Sequence, residues 1–188
     1  MIAFNRHNRI GPDAGEQEGE SPDRQSPPAR RVVSPDWPIA AHEAAHCVAA
    51  CSFGWPVVNL NIDAGKCRVD RPPILISRRL SMSLAVVRMA GSVGEGLANK
   101  AVGIPANEVH NESDMAEVTR LAAQSYPDPD QIEERDRFYA RAVKRAIDLV
   151  EKHRQLVLDL ATALLERREM DRDAIERVLL ASLTKENA

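Results

Sequence analysis

The stretch "WPIAAHEAAHCVAAC", Trp37 to Cys51, constrains this chain more than any other. Six of its fifteen residues are alanine, the best helix former, and the rest is mostly apolar. Asp36 is placed to cap a helix with Pro38 in its first turn, and Gly54-Trp55-Pro56 ends it. The expected helix therefore covers about 37–53, and its apolar flanks predict burial. His42, Glu43 and His46 interrupt that pattern. A purely structural helix has no use for them, and two buried, unliganded imidazoles would be poorly solvated.

The rest of the core has few aromatics to draw on. Phe, Trp and Tyr make up 4% of the 188 residues, against 44% hydrophobic and 28% charged, so Ala, Val, Leu and Ile must build the interior. That composition predicts a mainly α (α+β) protein. The formal charge of −3 gives no general attraction to nucleic acid or an anionic membrane. Three cysteines without paired spacing argue against a disulfide framework and for a reducing cytoplasm. Cys47 and Cys51, one turn apart, read as a buried, inert pair. The first residues lack the apolar core of a signal peptide, and no apolar run approaches a membrane span. A cytoplasmic protein is the expectation.

Along the chain, residues 1–33 are rich in Pro, Gly, Glu, Arg and Ser and predict a disordered polar tail. Residues 34–188 predict one domain. Val58, Leu60 and Ile62 alternate with asparagines, which predicts a strand closed by a turn at Asp63-Ala64-Gly65. Lys66–Asp70 and Ile74–Ser77 are shorter strand candidates. A helix is expected from Ser83 to about 103, then a loop, then a helix over 111–124 capped by Asn111 or Ser113. Residues 131–168 predict one long amphipathic helix or two in series, and Asp171 caps a short last one. The run Ala90-Gly91-Ser92-Val93-Gly94 falls one residue short of a nucleophile elbow and reads as a helix packed closely at its glycines.

His42 and His46, at about 100° per residue, project from one helical face one turn apart. That spacing suits two ligands of a tetrahedral zinc ion. Glu43 lies too far round to share the face as a ligand. It is close enough to take a proton from a metal-held water attacking a carbonyl. The residue types thus point to metal-assisted hydrolysis. The extended metzincin pattern needs Gly and His where this chain has Ala49 and Ser52, so that class is excluded. Spacing leaves the third ligand open among Glu95, Glu112, His110 and Asp114.

The segment "AAHEAAHCVAACSFGWPVVNLNI" resembles the start of the FtsH-type zinc peptidase domain. "VVRMAGSVGEGLANKAVG" is similar to that family's next helix, and "NESDMAEVTRLAAQ" to the segment supplying its third ligand. "AVKRAIDLVEKHRQLVLDLATALLERREMDRDAIERVL" resembles its C-terminal helices, so the likeness spans about residues 37–183. It implies Zn2+ held by His42, His46 and Asp114, with Glu43 as general base of a metalloendopeptidase. Departures are Ala45 for the usual glycine and Val93-Gly94-Glu95-Gly96 where the family reads Ala-Glu-Glu. The chain carries no Walker sequence. The resemblance therefore implies a peptidase for unfolded or flexible polypeptides, working alone or with a separate ATPase, and it leaves a homo-oligomer open. The alternative is a zinc-stabilised, inactive peptidase-like interaction module. The strand "VVNLNI" is either an edge that pairs with extended substrate or an internal strand.

Overall fold

The computed structural model describes residues 34–70, 77–103 and 112–186. The expected disordered tail, most of the Ile74–Ser77 strand candidate and the loop bearing His110 lie outside them. Among the described residues, six helices and three short strands run in the order α1 (Trp37–Ser52), β1 (Val57–Asn61), β2 (Lys66–Val69), α2 (Arg78–Val102), α3 (Glu112–Ser125), α4 (Ile132–Lys152), α5 (Arg154–Arg167), β3 (Glu169–Asp171) and α6 (Arg172–Glu186). The protein is mainly α with one small antiparallel sheet. None of the described helices is long and apolar enough to cross a membrane.

The alanine-rich segment is the centre of the molecule. Every residue of α1 from Ala40 to Ala50 is buried, with α2, α5 and the sheet packed around it. A helix enclosed on all sides needs small side chains, and alanine supplies them. Asp36 stands at its N-cap, but its carboxylate makes no cap bond; it accepts from Arg168 Nη1 at 2.6 Å instead. The guanidinium also pairs with Asp63, so one arginine ties the start of α1 to the turn after β1. Arg168 ends α5 at φ +64, a left-handed conformation costly for a residue with a Cβ.

The strand order is β2-β1-β3, both pairings antiparallel. Leu60 sits opposite Cys67 on one side and Met170 on the other, an apolar row across the sheet. This makes β1 the central strand. Of the two readings of "VVNLNI" the internal one holds, and among the described residues β2 and β3 are the outer strands. The strand β3 was not expected. Its three residues offer one apolar side chain, Met170, and it exists only because residues 108–112 positions away complete its ladder.

Helix α2 begins five residues before the expected Ser83. Ser77 Oγ accepts from Leu80 N at 3.2 Å, and the exposed first turn, Arg78-Arg79, hides the start from an apolar-periodicity reading. Ser113 lies inside the first turn of α3 and is not its cap. The 131–168 segment is two helices in series, broken at His153. Asp171 does cap α6, its Oδ1 accepting from Ala174 N at 2.9 Å. Cys47 is buried as expected, but Cys51 is exposed where α1 emerges from the core.

The α1–α2 contact runs antiparallel, Trp37 Nε1 donating to Ala98 O at 3.3 Å near one end. At its middle the backbones come close. A Cβ on Gly94 would lie 2.3 Å from Ala45 Cβ and 3.0 Å from Ala41 O, whereas one on Gly96 would meet nothing within 4 Å. The close packing expected at the glycines of the Ala90–Gly94 run is therefore real, at Gly91 as at Gly94, while Gly96 beyond that run stands in open space. Gly94→Ala should destabilise by about 1–3 kcal/mol through overpacking, while Gly96→Ala should stabilise by about 0.5–1 kcal/mol. Thermal unfolding of both variants should show midpoint shifts of opposite sign.

Candidate metal centre

His42 and His46 lie on the α1 face that meets α2, and Asp114 comes from the first turn of α3. All three are buried, at 7, 5 and 4% exposure. The separations are 2.9 Å between the two Nε2 atoms, 3.1 Å from His42 Nε2 to Asp114 Oδ2, and 3.0 Å from His46 Nε2 to the same oxygen. The other ring nitrogens are already engaged. His46 Nδ1 donates to the Val87 carbonyl at 2.7 Å, and His42 Nδ1 to Glu95 Oε2 at 3.3 Å. Because a carbonyl only accepts, His46 carries its proton on Nδ1, and the Glu95 carboxylate imposes the same tautomer on His42.

Three electron-rich atoms therefore converge on one point. Two lone pairs and a carboxylate oxygen cannot sit about 3 Å apart without a positive species among them: a proton or a metal ion. A four-coordinate ion bonded at ~2.0–2.1 Å holds its ligands roughly 3.3–3.4 Å apart, so the triad needs to open by only a few tenths of an ångström. The donor set, two imidazoles and one carboxylate, suits a first-row divalent ion. His42, His46 and Asp114 are the one such group among the described residues, and together they could hold a metal ion.

Helix α2 closes one side. A Cβ on Gly91 would stand 2.5 Å from both Nε2 atoms, so only glycine lets the α2 backbone pass this close. Residues 87, 88, 91 and 95 of α2 form the cradle. Val87 and Glu95 orient the imidazoles, and Arg88 Nη1 lies 3.2 Å from Asp114 Oδ1. Of the ligand candidates the sequence left open, Asp114 joins the histidines. Glu95 is fully buried behind His42 as an orienting group, and Glu112 lies exposed on the rim of the cleft. His110 lies outside the described residues. Sequence reading missed Val87, whose contribution is a backbone carbonyl, and Arg88, whose signal was one charge within "LAVVRMAG".

The other side opens into a cleft of about 830 Å³, walled by α1, α2, the start of α3 and strand β2, with Ile39, Trp55, Leu84 and Val87 as apolar lining. Glu43 faces this cleft. Its carboxylate has no hydrogen-bond partner among the described residues, and a Cβ on Gly65 would come only within 4.0 Å of its Oε1. Burial pushes its pKa up, opposed by the neighbouring histidines. Neither a protein-family model nor a curated protein matches this sequence.

The electrostatics make the metal-free state pH-sensitive. Burial would lower the pKa of His42, but hydrogen bonds to Asp114 and Glu95 outweigh it and hold the ring at about 9. Burial would raise Asp114, but the two imidazoles hold it below the usual carboxylate range. A folded-state pKa above the unfolded ~6.5 means that His42 stabilises fully below pH ~6.5 and loses that contribution as pH rises through about 9. The chelated protein should accordingly unfold at lower temperature as pH goes from 6.5 to 9, and His42→Gln should flatten that slope. An equal slope in both proteins would contradict the assignment. Metal should reverse the trend, since ligation requires the neutral ring. Glu95→Gln, which weakens the hold on His42, should reduce metal affinity roughly tenfold or more in a chelator competition.

Proposed function

We propose that this protein is a zinc-dependent metallopeptidase that hydrolyses peptide bonds in unfolded or flexible polypeptides. The observation that carries the proposal is Glu43: a buried carboxylate facing the cleft beside a three-donor group, with no structural partner to explain it. A purely structural zinc site has four protein ligands and no use for such a group, whereas three ligands among the described residues and a carboxylate facing the cleft match the hydrolytic arrangement. His42, His46 and Asp114 would hold the ion. When bound, zinc supplies Lewis acidity and lowers the pKa of a coordinated water toward ~7.

The chain's own residues do the rest. Glu43 accepts the proton of the attacking water and returns it to the departing amine. Its raised pKa brings it closer to the value that both transfers need. Glu95 and Val87 keep the imidazoles in the required tautomer and orientation. The outer strand β2, whose residues Lys66 to Val69 line the cleft, offers main-chain groups to an extended segment. Binding of that kind reads backbone rather than sequence and favours unfolded chains. The resemblance to FtsH-type peptidase domains supports the same substrate class, and folded substrates would require a separate ATPase to open them.

Metal content and cleavage of an unfolded polypeptide, measured on wild type and Glu43→Gln, test this directly. One zinc per chain in both is expected, with cleavage reduced roughly a hundredfold or more in the variant. Zinc in both without cleavage by either would favour the inactive interaction module, and no zinc uptake would remove the metal reading altogether.

A further inference from the structure

Arg88 is the basic residue on the α2 face that covers the donor triad, where Glu95 is the acidic one. Arg88 lies one turn before Gly91, directly beside the residue whose carbonyl orients His46. Its Nη1 is 3.2 Å from Asp114 Oδ1, while Oδ2 of the same carboxylate faces both imidazoles. The two oxygens of Asp114 are thus divided: one toward the donors, one toward a guanidinium. The Arg88 side chain remains one-third exposed on the cleft wall, and its charge reaches Glu43 and Cys67.

That division has a chemical consequence. A carboxylate can ligate a metal ion through one oxygen or through both, and the second mode fills an additional position in the coordination shell. In a site with three protein ligands, that position is the one a reacting water needs. No other donor to Oδ1 is present among the described residues. We propose that Arg88 is a positioning residue that acts through Asp114: by holding Oδ1 it restricts Asp114 to one-oxygen ligation and keeps a coordination position open. A planar guanidinium with several donors suits this role, because it can hold Oδ1 and still meet the cleft. The inference rests on the metal-centre reading given above.

The test uses the full chain loaded with cobalt(II), in wild type, Arg88→Lys, Arg88→Gln and Arg88→Ala. Visible d–d absorption reports coordination number, chelator competition reports affinity, and an unfolded peptide reports kcat and KM. Arg88→Gln and Arg88→Ala should still bind one ion, with weaker absorption from a higher coordination number. In both, kcat should fall roughly ten- to a hundredfold with KM nearly unchanged. Arg88→Lys should recover much of the wild-type spectrum, since an ammonium can also engage Oδ1. An unchanged spectrum in Arg88→Gln would overturn the inference and leave the metal centre standing, even if affinity and stability fell. Absence of cobalt uptake by wild type would instead remove the reading on which the inference rests.

Discussion

The close approach of α1 and α2 is the constraint on which the rest depends. Alanines on one helix and glycines on the other let the backbones come within a side chain's thickness, as the blocked Cβ positions at Gly91 and Gly94 record. At that distance His46 can reach a backbone carbonyl of α2, and His42 can reach a carboxylate on the same helix. A larger residue at either glycine would push α2 outward and break both bonds. Packing and site chemistry are here one geometric fact. Small residues cost core volume, and the compensation comes from Leu60, Leu121, Leu160, Leu164 and Ile175, large side chains of β1, α3, α5 and α6 that are fully buried.

Burying ionisable groups in such a core is expensive unless each charge has a counterpart. The site meets this by chaining its groups. Glu95 holds His42, His42 and His46 hold Asp114, and Arg88 holds the far oxygen of Asp114. Removing any member leaves a neighbour charged and buried. Glu43 is the exception: it is almost as buried, yet it belongs to no such chain among the described residues. The contrast sets one group apart from the structural network around it. By comparison, surface pairs such as Arg137–Glu133 and Lys144–Asp148 are exposed and contribute little to stability.

The motif's helix, β1 and β2, and the break at residues 126–130 were all legible, because each carries its own local pattern. The ends of elements were less so. Helix α2 starts on an exposed, charged turn that apolar periodicity does not register. Asp36 looked like a cap by residue type, but a guanidinium 132 positions away competes for its carboxylate. The strand β3 had no local signal at all, since its stability comes from pairing with β1. In the site, the two histidines and Glu43 followed from spacing. Glu95 and Asp114 were both recognisable as candidates, yet nothing in their spacing said which would meet the imidazoles at Nε2 and which behind at Nδ1.

The sequence by itself therefore determined the buried alanine helix, the shared face of His42 and His46, and the mainly helical class, because helical geometry makes these local. Only the tertiary structure decided which carboxylate completes the donor group, that Val87 and Glu95 set the tautomers, that Arg88 claims Oδ1, and that β1 is the central strand with β2 beside the cleft. Those outcomes depend on the rotation and depth at which α2, α3 and the sheet seat against α1. Such parameters are set by the summed packing of residues 26 to 110 positions apart, and no single stretch of the chain encodes them.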